Sequence, residues 1–265
     1  MSTDGEITLT IHGLDADNGK VRADAFIEKF RALLRSLKLA DRQVNEKRSH
    51  EYVIVGLETA SAHASLREKQ IRTAVPASSV EYVSAVVEAV YNGDRNVQRF
   101  PKQIVAALKP LANGVGTRFS HGELKFPGGT VVRIDDYLEK QIDKAIRRTK
   151  GEATEEHRNF EGVAFETLDG IVKEMDARGS LVRGKLVLTV GGKELDCIFR
   201  TEDMEVLRTS FDKRARIEGI AHYDGVSLLP VRVDVRRIEL IKEDGDLLKW
   251  KQALKRGRGG GLDDG

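Results

Sequence analysis

The chain has 265 residues and a mass of 29.4 kDa, enough for two ordinary domains that each bury a sizeable core. Its 40% apolar and 32% charged residues describe a soluble globular protein and exclude a disordered or membrane-embedded one. The net charge of +2 conceals no strongly basic segment: Lys plus Arg against Asp plus Glu is 25 to 22 over residues 1–159, 13 to 15 over 160–241 and 6 to 5 over 242–265, which removes the simplest argument for a phosphate-gripping protein.

The first predicted element is a half-buried strand in EITLTIHGL, where Ile7, Leu9 and Ile11 alternate with polar residues. A helix follows in ADAFIEKFRALLRSLKL, with Phe26, Phe30, Leu33, Leu34 and Leu37 spaced by threes and fours into one apolar stripe. HEYVIVGLE and SAHASLRE read as two strands, the more apolar first one central. PASSVEYVSAVVEAVYNGD predicts a helix with Ser78 and Glu81 as a capping box, Val83, Val86, Val87 and Val90 inward, and a stop at Gly93. A shorter helix starts at Pro101, buries Ile104 and Leu108, and is expected to end at Pro110. In TRFSHGELKFPGGTVVRID, Pro127-Gly128-Gly129 between two alternating runs marks a hairpin. A helix from Asp136 to Arg148 then faces Leu138, Ile142 and Ile146 inward.

The polar stretch 151–159 separates an α+β domain over 1–150 from a second unit over 160–245. VAFETLDGIVKEMDA is one long or bent strand in which Gly170 suggests a bulge or a barrel corner. KLVLTV and KELDCIF flank the tight turn Gly191-Gly192, and TEDMEVLRTSF breaks the β pattern with Met204, Leu207 and Phe211 at helical spacing behind Thr201 as its expected cap. ARIEGIAHY and LPVRVDVRRIELI, joined through Asp224-Gly225, complete the unit. Three strands, a helix and two strands is an order that resembles the OB-fold, a small five-stranded barrel; the resemblance rests on element order and turn placement, and no named family attaches to the N-terminal unit. Residues 246–265 read as a short amphipathic helix, with Leu247, Leu248, Trp250 and Leu254 on one side, and a Gly-rich flexible tail; Trp250 and Leu254 are candidate partner contacts. The fold class expected is therefore α+β: a mixed α/β domain with a short antiparallel sheet, then a five-stranded OB-like barrel with one helix.

Chemical motifs are scarce. The histidines at 12, 50, 63, 121, 157 and 222 show no metal-ligand spacing, so no metal site is expected locally. In HGLDADNGKVRAD the gap from Gly13 to Gly19-Lys20 is one residue too long for a phosphate loop and Val21 stands where Ser or Thr is needed. Read as a calcium loop, the same stretch has Gly19 one position early and Phe26 in place of the closing carboxylate. There is no G-x-S-x-G elbow, and Cys197 in LDCIF reads as a packed small hydrophobe. No cofactor is expected.

An OB-like barrel binds single strands through a basic groove with aromatic platforms. The candidate groove residues are Lys185, Lys193, Arg200, Arg214, Arg216, Arg232 and Arg236, with Tyr223 at the rim; Phe165 and Phe199 read as core. The leading expectation is a non-enzymatic binding or regulatory protein acting through protein contacts, as a subunit of a complex. Single-stranded nucleic-acid binding by the barrel is the alternative, and an enzyme whose site assembles only in the fold, around His121 or His222, is the third. The opening MSTDGEITLT lacks the pattern of a signal peptide and no run reaches membrane-spanning length, so the expected location is cytoplasmic, away from membranes.

Overall fold

The computed structural model describes residues 5–58, 62–71, 76–151 and 159–241. The segment expected as a linker, apart from its ends, and the stretch expected as a C-terminal helix with Trp250 and Leu254 lie outside the described residues.

The N-terminal sheet is built from β1 (Glu6–His12), β2 (His50–Glu58), β3 (Ala62–Gln70), β4 (His121–Lys125) and β5 (Val131–Ile134), in the order β2-β3-β1-β4-β5. Every pairing is antiparallel. The alternation read in β1 is real: Ile7, Leu9 and Ile11 are fully buried on one face. On that face lie α1 (Ala23–Asn45), α2 (Ser79–Tyr91), the short α3 (Lys102–Ala107) and α4 (Lys109–Ala112), and α5 (Asp136–Thr149), whose Leu33, Leu37, Val83, Val87 and Ile142 join the strands in one apolar cluster. Ser78 caps α2 by accepting from the Glu81 N–H at 3.1 Å, and Asp135 caps α5 by accepting from the Leu138 N–H at 3.2 Å.

One expectation fails here. β2 is an edge strand, with Val53, Ile54, Val55 and Leu57 exposed, because β3 alone pairs with it and a bulge between Ile54 and Gly56 breaks its register. The helix expected to end at Pro110 stops at Ala107, and Pro110 itself sits in the first turn of the four-residue α4, where a proline forfeits an N–H that has no intrahelical acceptor.

The second sheet closes on itself. β6 (Glu161–Asp176), β7 (Leu181–Leu188), β8 (Glu194–Arg200), β9 (Arg214–Asp224) and β10 (Arg232–Leu240) form a barrel in the order β10-β8-β7-β6-β9, with α6 (Met204–Ser210) between β8 and β9 in the chain. β8 and β10 run parallel while the other pairs are antiparallel, which is the OB-like arrangement anticipated from element order. Val182, Leu186, Cys197, Phe199, Leu207, Ile217 and Val233 fill the interior. Cys197 is part of that core and burial pushes its thiol pKa up, away from reactivity.

Three local details differ from the sequence reading. The bulge in β6 falls between Val172 and Glu174, not at Gly170. Thr201 begins a 3-10 turn without a capping bond, and its hydroxyl donates to the Ser180 carbonyl at 2.8 Å. Phe165 stands outside the barrel, 66% exposed, because its neighbours Ala164 and Glu166 take the inward-facing parity of β6. Gly170 is a close approach: a Cβ there would lie 2.5 Å from the Val187 carbonyl oxygen and 2.7 Å from Leu186 Cγ. Gly170→Ala is expected to destabilise the protein by about 1–3 kcal/mol through overpacking. Urea unfolding checks this, and an unchanged midpoint would contradict the close packing.

Candidate binding surfaces

Two sets of polar side chains join the barrel to the N-terminal unit. In the first, the Arg232 side chain enters wholly buried from β10 and donates to both oxygens of Asp135, at 2.6 Å and 3.3 Å, while its guanidinium lies 4.2 Å from the centre of the Tyr137 ring. Tyr91 donates to Asp234 at 3.0 Å, and Asp234 also contacts the His222 ring nitrogen Nε2 at 3.0 Å. His222 packs edge-on against Tyr91 and Tyr137, and the Tyr137 hydroxyl donates to the Tyr91 carbonyl. Burial alone would raise the Asp135 carboxyl, but the Arg232 guanidinium and the Leu138 N–H together hold it below the usual carboxylate range.

The second set clasps the turn between β6 and β7. Glu123 accepts from the Ser180 N–H at 2.9 Å, the Ser180 hydroxyl at 2.5 Å and the Leu181 N–H at 3.0 Å. Arg133 donates to the Leu181 carbonyl at 2.9 Å, and His121 Nε2 donates to the Arg178 carbonyl at 3.1 Å. Gly179 fits between these groups with φ +95°; a Cβ there would sit 2.3 Å from Glu123 Oε1. His12 stacks on His121 at 4.3 Å with the rings 14° from parallel. Burial pushes the His121 pKa down to about 3 and lowers that of His12 as well.

His12, His121 and Glu123 hold their donor atoms within 4.8 Å of one another, so by residue type they form a metal-ligand set. Glu123 and His121 are already committed, and only His12 Nε2 is left buried without a hydrogen-bond partner among the described residues. Glu123 is saturated by three donors, His121 gives its Nε2 proton to a carbonyl, near-parallel stacked rings do not converge their lone pairs, and Arg133 raises the positive charge beside them. The group acts as a clasp. His121 and His222, the histidines around which a fold-assembled active site was conceivable, both belong to these interfacial networks.

The groove residues anticipated on the barrel do not form one cationic surface. Arg214 and Arg216 share Asp169, at 3.7 Å and 3.1 Å. Lys185 pairs with Glu194 and Glu174 at 3.1 Å and 3.5 Å. Arg232 is buried at the interface and unavailable to a ligand. Lys193, Arg200 and Arg236 are exposed, on the 191–193 turn, the end of β8 and the β10 bulge, and so belong to different parts of the barrel. Tyr223 is half-buried, donates to Glu166 at 3.2 Å and meets the Phe160 ring edge-on at 5.4 Å. Phe199 is core. The β6–β7 turn, one of the loops through which OB-like barrels take ligands, is the one clasped by Glu123 and Arg133.

Sequence reasoning missed the surfaces left open. One is the outer edge of β2; its apolar composition was visible but pointed to a central strand. Another is the outward side of β6, where Phe160, Val163 and Phe165 are 57%, 41% and 66% exposed.

No protein-family model and no curated protein matches this chain. Among solved structures, it is similar in part to the crystal structure of the S. pombe Stn1-ten1 complex, at 14% sequence identity and a TM-score of 0.25, over 36% of this chain and 71% of that one. A superposition at that score carries no functional argument, and the barrel is assigned here on its own strand order. No helix among the described residues is long and apolar enough to cross a membrane.

Two outcomes follow from the interface. Asp135→Ala strands a buried guanidinium and removes the α5 cap, and is expected to cost about 3–5 kcal/mol in chemical denaturation; a loss below 1 kcal/mol would refute the buried pair's role. His121 is neutral in the fold down to about pH 3 but takes a proton near 6.5 when unfolded, so its contribution is complete above pH 6.5 and is lost as pH falls toward 3. The melting temperature should therefore decline from pH 6.5 to 4, and less steeply in His121→Gln; parallel curves for the two proteins would rule this out.

Proposed function

We propose that this protein is a non-enzymatic binding protein that works through protein contacts, and that an extended segment of a partner protein adds to its N-terminal sheet along β2. The observation that carries this reading is the edge itself. Among the described residues no strand pairs with the outer side of β2, and Val53, Ile54, Val55 and Leu57 along it are 43%, 46%, 42% and 65% exposed. An unpaired strand edge with such side chains is a template for strand addition, in which main-chain bonds supply affinity and alternate side chains supply selectivity. The bulge at Val55 limits indiscriminate pairing, so a partner must match it.

Other features support the same class. Among the described histidines, His12, His121 and His222 lie in the interfacial networks and His50 contacts the buried Asp41 at 2.8 Å, while His63 is bonded to Thr10; Cys197 is sealed in the barrel. Of the barrel's anticipated groove, Arg214, Arg216 and Lys185 are paired with Asp169, Glu174 and Glu194, while Lys193, Arg200 and Arg236 lie on separate parts of the barrel. Nucleic-acid binding on that face therefore gains no support from the geometry.

The test is position-resolved photocrosslinking in the cell of origin, with the crosslinker at residue 53 or 55 and a control at the exposed hairpin residue Val190. The expected result is one protein adduct of defined mass from 53 and 55 and none from 190. The purified partner should then bind at least tenfold more weakly to Ile54→Lys/Leu57→Lys. Equal labelling at all three positions, or unchanged affinity in the double variant, would defeat the proposal.

A further inference from the structure

Among the described residues a row of positive charge without ion-pair partners lies on α1 and not on the barrel. Arg31, Arg35, Lys38 and Arg42 of α1 are all exposed and line a single shallow depression of about 390 Å³ with Leu34 and Leu39. At about 100° and 1.5 Å per residue, their spacing puts the four within an arc of roughly 60° and along about 16 Å of helix. Each is three or four residues from the next, so the row stacks like charges at the positions where they repel most. No ion pair or hydrogen bond within the described residues offsets that repulsion.

Three acids of α1 that could neutralise the row are held elsewhere, which leaves Glu46 at the C-terminal end of the helix. Asp24 and Glu28, one to two turns toward the start of α1, are both bound by Arg118, and Glu28 also by Lys29. Asp41 is buried against His50, Asn45 and the Ser49 N–H. This contrasts with the barrel, where Arg214 and Arg216 share the Asp169 carboxylate and Lys185 pairs with Glu194. A like-charged row that weakens its helix and has Asp24, Glu28 and Asp41 held by other partners is organised for an anionic ligand.

We infer that this face of α1 binds the phosphate backbone of a nucleic acid. A line of cations matches a line of phosphates, which recur about every 3.4 Å of axis on each strand of a duplex. Three of the four are arginines, whose planar forks suit phosphate oxygens. Leu34 and Leu39 are already packed against the chain's own core, and Ile27, a turn earlier, is a lone exposed apolar side chain at 46%. A membrane surface or an amphipathic peptide would therefore find no continuous apolar anchor. Contacts of this kind read no base sequence. This site is separate from β2 and stands whether or not that edge takes a partner.

The experiment uses the full chain with a fluorescent 30-base-pair DNA duplex of arbitrary sequence and a single-stranded RNA of equal length, titrated at 50–200 mM salt. Four phosphate contacts predict a slope of log K against log salt of about −3.6 on the duplex and about −2.8 on the single strand, so duplex affinity falls roughly a hundredfold over that range. Replacing all four residues with Gln, a good helix former, should shrink the slope by at least two and leave the circular dichroism unchanged. Lys193→Gln/Arg200→Gln/Arg236→Gln on the barrel should shrink it by less than one. A smaller effect of the α1 variant, a larger effect of the barrel variant, or an α1-dependent preference for phosphatidylserine vesicles or polyglutamate over both nucleic acids would overturn the assignment.

Discussion

The arrangement of this molecule depends on one buried ion pair. Asp135 occupies the corner where β5 hands over to α5, and the same carboxylate starts that helix and receives Arg232 from the barrel. Because the pair is out of water, its two charges are stabilising only together, and either alone is costly. The tyrosines around it extend the effect: Tyr91 bonds Asp234 while Tyr137 covers the guanidinium and meets His222. The barrel is thereby held in one orientation by groups that all require their partners.

That orientation decides what each half can offer. The barrel spends its β6–β7 turn on the N-terminal sheet, and the part of the sheet's other face around His12, His121 and Glu123 is spent on the turn in return. What remains open lies away from the contact: the β2 edge, the outward side of β6, and the exposed face of α1. With the barrel's own ligand loop occupied, the binding role proposed above falls on these surfaces. It does not follow from the barrel architecture by itself, which is shared by proteins of many functions.

Local pattern made most of the elements legible. β1 announces itself through Ile7, Leu9 and Ile11, α2 through Ser78, and the barrel through the order of three strands, helix and two strands. Position within a sheet was not legible, because HEYVIVGLE has the composition of a central strand and only the pairing partners make β2 an edge. Arg232 reads in sequence like Arg236, four residues later, yet one is buried and the other exposed, since the distinction comes from Asp135 nearly a hundred residues away. Charge behaved the same way. The overall balance is near neutral, and the α1 row becomes visible only when Asp24 and Glu28 are seen to belong to Arg118.

Gly179 has a meaning beyond its turn. The Glu123 carboxylate closes on the backbone at this position, and the space a single Cβ would need is already filled. A side chain here would meet the end of the Glu123 side chain, so Glu123 itself would have to swing away and give up its bonds to the Ser180 and Leu181 N–H groups. The cost would add to the backbone strain of a side chain at φ +95°. The seam between barrel and sheet is thus closed by a carboxylate that occupies the room a methyl group would take.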